Sequence, residues 1–307
     1  MGSCRNGHLP GKGVLHVTAS LYVAVLSLGL LLPLGNIARV PQSDCAAPSD
    51  FAWQPASPKA GALFRVATTA RASLTTVRTA TVAGEPVHFR VTGDSAFAIA
   101  AVPIDSTTGI TIAWPCRSDA WGSVRIPTTV GTYRLERLRV APRFGIPPDS
   151  ISAARMRLEA DRAAAVSRNA HDTPRQWSSP FLAPRTSRIT SPFGGGRTFN
   201  GAVTSRHMGT DYAGAIGAPV RAANNGIVRI VDAFTLGGNV IYVDHGEGLV
   251  TAYLHLSKQL VAVGDTVARG DTIGRVGATG RVTGPHLHFI ARYGTITVDP
   301  AGLERQR

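Results

Sequence analysis

The sequence predicts a mainly β protein: a C-terminal antiparallel β-sheet domain, preceded by a small β-sandwich-like domain and a helical connector, with one N-terminal hydrophobic helix. Three observations carry this. Short apolar runs alternate with turn clusters from Leu63 to Val140 and again beyond Ser191, which is the pattern of short strands. Glycine is concentrated late, with 20 of the 33 glycines in residues 191–307, where tight hairpins use them. Two stretches, 14–38 and 149–169, read as helical instead.

At 307 residues the chain can hold two ordinary cores. Its 44% apolar and 17% charged content excludes wholesale disorder. The net charge of +13, mostly from arginine, either favours an anionic partner such as a cell-wall polymer, anionic lipid or nucleic acid, or reflects composition alone. No dense Lys/Arg run occurs, so nucleic acid is not an expected partner.

Residues 1–38 read as a signal peptide or membrane anchor. Arg5 and Lys12 precede a run from Val14 to Ala38 that holds no Asp, Glu, Lys or Arg and a single histidine, His16. About 20 apolar residues suffice to cross a bilayer as a helix, and the basic flank places the rest of the chain outside the cytoplasm. Uncleaved, this helix would tie the protein to the membrane; cleaved, it would release it as a secreted or periplasmic chain. Residues 39–60, with Pro41, Pro48, Pro55 and Pro58, read as a linker.

Residues 61–148 read as the small all-β domain. Its expected strands include Val87–Val91, Ala96–Ala100, Ile110–Trp114 and Thr132–Leu135, with hairpin turns at Thr92–Ser95 and Asp105–Gly109. His88 stands alone there and reads as structural. Residues 149–184 form a helix and an extended connector: Pro147-Pro148 blocks an earlier start, Asp149 or Ser150 supplies the cap, and the helix serves as a spacer. Residues 185–303 are the catalytic candidate and 304–307 a tail. Among the cysteines, Cys45 and Cys116 either pair in an exported chain or leave Cys116 free and buried.

The chemistry is concentrated in residues 185–303. His207-Met208-Gly209-Thr210-Asp211, His255, and His286-Leu287-His288 supply four histidines and a carboxylate. Imidazole and carboxylate are ligands of catalytic zinc, which takes three protein groups and keeps a fourth position open. On a strand, His286 and His288 share a face roughly 6.6 Å apart, so one holds the metal while the other stands beside it. His207 and Asp211 would lie about 13 Å apart on a straight strand, too far for one ion, so the chain must bend, and Gly209 supplies the bend. The same alternation puts Tyr253 and His255 on one face and Leu254 and Leu256 on the other. His245, in the turn Asp244–Gly248, reads as structural. Spacing leaves open which of His286 and His288 is the ligand.

These motifs resemble the lysostaphin-type (LytM-like) zinc metallo-endopeptidases that cleave peptidoglycan. The matching residues are Ser191-Pro192-Phe193-Gly194, His207–Asp211, Asp244–Gly248, Thr251–Leu256 and Gly277–Gly280 running into Gly284-Pro285-His286-Leu287-His288. The resemblance implies one Zn2+ per chain held by His207, Asp211 and His288, with His255 and His286 as the catalytic pair. It also implies peptidoglycan peptides as substrate and a barrel-sandwich or duplicated hybrid-type β fold with a groove across the sheet. Gly194-Gly195-Gly196 before Arg197 and the short segment after His288 depart from the family pattern, and neither is expected to touch the site.

Two rivals stand beside this reading. A catalytically weak regulatory module that activates other wall hydrolases would be expected to have lost ligands, and this chain keeps all five residues. Val263–Gly274 resembles the turns of biotinyl or lipoyl carrier domains, but Lys258, the only lysine after residue 60, sits outside any such hairpin tip.

Overall fold

The computed structural model describes residues 51–69, 80–116 and 120–305. The expected signal peptide or anchor lies outside these residues. No helix among the described residues is long and apolar enough to cross a membrane.

The N-terminal part is a β-sandwich. One four-stranded sheet comprises Ala52–Gln54, Leu63–Thr69, Ser95–Ala101 and Arg90–Thr92; the other comprises Glu85–Pro86, Thr81–Val82, Ile110–Pro115 and Trp121–Ile126. Alternation along Leu63–Thr69 and Ile110–Pro115 turns one face of each sheet inward, where Phe64, Val66, Ala98 and Ala100 meet Ile112, Trp114 and Ile126. Of the expected Val87–Val91 strand, only Arg90 and Val91 are in a strand, the Arg90–Thr92 one. Cys116 is disulfide-bonded, so the free buried thiol is excluded.

The C-terminal part is a ten-stranded sheet. Its central path runs Ile189–Ser191, Thr210–Ala213, His286–Tyr293, Leu249–Gln259, Gly238–Gly246, Gly226–Phe234 and Thr266–Val267. The pairings along this path are antiparallel. Both faces of the sheet are covered. Leu287, Phe289, Ala291, Tyr293 and Tyr253 point into the larger core. Tyr242, Val240, Val250, Ala252 and Leu254 point into the other.

The helix spans Ser150–Asn169, capped by the Asp149 carboxylate, which accepts a hydrogen bond from the Ser152 amide at 2.7 Å. It does more than span a gap. Ala163 and Ala170 pack into the second core, Glu159 accepts hydrogen bonds from the Thr235 amide and hydroxyl, and Arg162 pairs with Asp232. Its small buried residues let the backbone approach the sheet closely, which a weak apolar stripe in the sequence does not announce.

Sandwich and sheet belong to one compact unit. The Glu85 carboxylate accepts hydrogen bonds from His171, at 3.0 Å, and from the Thr295 amide, at 2.9 Å, and the Tyr293 hydroxyl donates to the Pro86 carbonyl. His88 is not alone: its Nε2 lies 2.9 Å from Nδ1 of His171. The strand expected at Thr132–Leu135 in the small domain forms instead at Leu135–Leu138. It pairs in parallel with Gly196–Phe199, which in turn pairs with Val203–Arg206. This third sheet carries residues of the sandwich segment to the rim of the site.

Candidate active site

Asp211 and His288, 77 residues apart in sequence, are direct cross-strand partners in the ladder between Thr210–Ala213 and His286–Tyr293. Directly opposite residues on paired strands project to the same face, so the register alone brings Nδ1 of His288 to 2.7 Å from Oδ1 of Asp211. His207 arrives from the preceding turn. Its amide donates to the Gly195 carbonyl and its carbonyl accepts from the Gly194 amide, both at 2.7 Å, which fixes the backbone as it leaves Val203–Arg206. Its Nε2 then lies 3.0 Å from both Asp211 Oδ1 and His288 Nδ1. Gly209 is required here for space: a Cβ would sit 2.6 Å from the Phe289 carbonyl oxygen and 2.7 Å from the His288 ring.

His207, Asp211 and His288 are all buried and offer ligand atoms within 4.8 Å of one another, a group that could hold a metal ion. The donor set fits. The Pro192 carbonyl, 2.8 Å from His207 Nδ1, must receive a proton there, so Nε2 faces the cluster as a lone pair. With both rings neutral, the three converging atoms share at most one proton. Two imidazole nitrogens and a carboxylate oxygen around one point are the protein half of a catalytic zinc site. Burial alone would raise the Asp211 carboxyl, but the close approach of His207 and His288 prevails and holds it well below the usual carboxylate range. Burial holds His288 down to about 4 despite its bond to Asp211.

The other two histidines are oriented alike. His255 Nδ1 donates to the Thr279 carbonyl at 2.8 Å, and His286 Nδ1 donates to the Gly284 carbonyl at 2.8 Å. A neutral ring held in this way presents Nε2 as an acceptor, and that of His286 lies 3.7 Å from Asp211 Oδ1. The rings of His255 and His286 are 4.9 Å apart, and His255 is 5.8 Å from His288. Burial, and then the neighbouring rings of His288 and His286, push His255 well below the usual histidine value, so it is neutral near pH 7.

Strict alternation misplaces His255. Its backbone is left-handed, with φ of 64°, and the ladder to Gly238–Gly246 shifts register beside it. Leu254, opposite His288, and His255 consequently turn to the same side, while Tyr253 faces the core. There the Tyr253 hydroxyl accepts from the Ala223 amide at 2.8 Å and meets Thr251 at 3.0 Å, so it lines no cleft. His245 is fully buried, donating from Nδ1 to the Asn225 carbonyl at 2.6 Å and bonded through Nε2 to Thr251.

Arg197 does touch the site, contrary to the sequence expectation. Its guanidinium donates to Asp211 Oδ2 at 2.6 Å, to Ser191 Oγ at 2.9 Å and to Glu136 Oε2 at 2.9 Å. Glu136 also accepts from the Ser191 hydroxyl at 2.7 Å. Asp211 thus turns one oxygen to the histidines and has the other held by an arginine. Such outer partners fix the orientation of ligands. The conspicuous signal was an arginine next to a glycine run inside an otherwise matching motif. A groove of about 370 Å³ opens over Asp211, His255 and His286 and is lined further by Arg281, Arg188 and Glu136.

The antiparallel sheet thus carries a buried two-histidine, one-carboxylate cluster that could hold a metal ion, with two more histidines at a groove. Residues 205–300 match the family described as Peptidase family M23, and this region of the chain is a domain of that family. Over 98 residues the chain is 43% identical to the peptidoglycan DD-endopeptidase ShyC of Vibrio cholerae serotype O1, which covers 32% of this chain and 23% of ShyC. Over 83 residues it is 47% identical to ShyA of the same organism, covering 27% of this chain and 19% of ShyA. The chain therefore spans about a quarter or less of the length of these relatives. Its fold is similar to the crystal structure of a Pseudomonas aeruginosa protein assigned to peptidase M23. That similarity has a TM-score of 0.57 at 24% identity over 81% of this chain and 96% of the other, so it takes in the sandwich as well as the sheet.

Proposed function

We propose that the protein is an exported zinc metallo-endopeptidase that hydrolyses the peptide crosslinks of bacterial peptidoglycan. The observation that carries this reading is the convergence of His207, Asp211 and His288 at one buried point, with two further histidines beside it whose Nδ1 atoms are both tied to backbone carbonyls. The M23 family match and the likeness to peptidoglycan DD-endopeptidases support the substrate class.

His207, Asp211 and His288 would hold the metal, and Arg197 and the Pro192 carbonyl orient two of these ligands. Zinc held there would act as a Lewis acid on the scissile carbonyl and make water nucleophilic near neutral pH. His255 and His286 divide the proton work. Each has its Nδ1 proton committed to a backbone carbonyl, so each can accept a proton only at Nε2. A ring that has accepted one becomes a donor at that atom, able to stabilise a developing oxyanion or protonate the leaving amine. Export rests on the apolar run of residues 14–38 behind Arg5 and Lys12.

The deciding experiment incubates the protein with purified peptidoglycan, with and without a chelator, and identifies the released fragments by mass. Chelator-sensitive release of peptide-cleaved fragments is expected; intact peptidoglycan in the presence of zinc-loaded protein would overturn the reading.

A further inference from the structure

Two arginines line the groove close together and are treated oppositely by the fold. Arg197 is neutralised twice, by Glu136 and by Asp211. Arg281 has no such partner. It lies in the turn that leads from Gly280 to the His286 strand, its backbone amide anchored to the Leu236 carbonyl at 2.9 Å. Its guanidinium carbon sits 3.9 Å from the centre of the Phe199 ring. Among the described residues, no carboxylate pairs with it and no acceptor takes a hydrogen bond from its side chain.

That arrangement costs stability in the free protein. Arg281 is half-buried, and both its burial and the like charge of Arg197 disfavour its cationic form. A desolvated cation without a counter-charge is retained at a loss unless something else neutralises it. Phe199 holds the guanidinium in place, so its donors are pre-positioned. A guanidinium offers a planar fork of N–H donors matched to a carboxylate. The groove it lines is the one over Asp211, His255 and His286, so any anion it receives lies close to the reacting bond. Arg188 adds a second positive charge to the same groove.

We propose that Arg281 is a specificity residue that receives a free carboxylate of the substrate, so that the enzyme prefers peptides bearing a carboxylate next to the bond it cuts over the same peptides carrying a carboxamide. This rests on the endopeptidase reading above and narrows its substrate class.

The test uses a pair of crosslinked peptides that differ only in that carboxylate or carboxamide, with wild-type protein, Arg281→Gln and Arg281→Lys. For the wild type, kcat/KM should favour the carboxylate peptide by about ten- to a hundredfold, the range of a hydrogen-bonded charge partner. In Arg281→Gln that ratio should collapse towards about 1. Arg281→Lys, which keeps the charge without the fork, should fall between. Equal cleavage of both peptides by the wild type, or discrimination retained in Arg281→Gln, would overturn the proposal. Binding supplies a readout independent of turnover. Titration calorimetry of the two peptides into metal-free protein should show the same preference, lost in Arg281→Gln, and equal binding of the two would overturn it. Absence of any cleavage, of these peptides and of peptidoglycan, would instead overturn the endopeptidase reading and leave the calorimetric comparison to decide on Arg281.

Discussion

Arg197 donates to Oδ2 of Asp211 at 2.6 Å, while Oδ1 of the same carboxylate faces His207 and His288. A carboxylate held at its outer oxygen loses little freedom when its inner oxygen binds a cation. Replacing Arg197 by Met should weaken metal binding about ten- to a hundredfold, the effect usual for loss of an outer-shell partner. Chelator competition would measure it. Unchanged affinity would mean that Arg197 serves only its contacts with Glu136 and Ser191.

The five site residues should separate into two groups. His207→Ala and His288→Ala should abolish stoichiometric zinc. His255→Ala should keep zinc and lose activity about a hundredfold or more. Metal analysis beside a peptidoglycan assay reads both, and zinc loss in the His255 variant would place that residue among the ligands.

Gly209→Ala should damage the site through crowding. The new methyl would meet the Phe289 carbonyl oxygen at 2.6 Å and the His288 ring at 2.7 Å, an overpacking of about 1–3 kcal/mol. Denaturant unfolding should show that loss together with weaker metal binding, since the ring displaced is that of His288.

Acid should destabilise the fold before carboxylates titrate. Burial holds His245 down to about 4, and burial with the neighbouring His171 holds His88 there too. Both are depressed from 6.5, so between these values the unfolded chain binds more protons than the folded one. Stability is therefore full above about pH 6.5 and falls as pH drops towards 4, by on the order of 3 kcal/mol for the fully buried His245. Unfolding midpoints measured across that window should fall with pH, and His245→Gln should flatten the slope.

Much of the site was legible because its pieces are short and contiguous. The His286-Leu287-His288 pattern gives a shared face on any strand, and the ladder with Thr210–Ala213 adds what spacing omits, the register that sets His288 opposite Asp211. That is why residues alone could not choose between His286 and His288. Tyr253 and His255 failed the same rule because alternation assumes extended backbone, and His255 is left-handed. Arg197 was missed for another reason. Its role depends on Glu136, 61 residues earlier, which reaches it only through a parallel pairing of Leu135–Leu138 with Gly196–Phe199. The two sheets of the sandwich arise from alternating runs, whereas that parallel strand leaves no local trace.

The Leu135–Leu138 strand also sets where the chain can be cut. A fragment begun at residue 185 would leave Gly196–Phe199 as an open sheet edge and strip Glu136 from Arg197 and Ser191, and one trimmed to residues 205–300 would lose that strand and Arg197 altogether. A fragment that keeps these contacts therefore starts before residue 135, and modularity here ends short of the boundary that motif matching would draw.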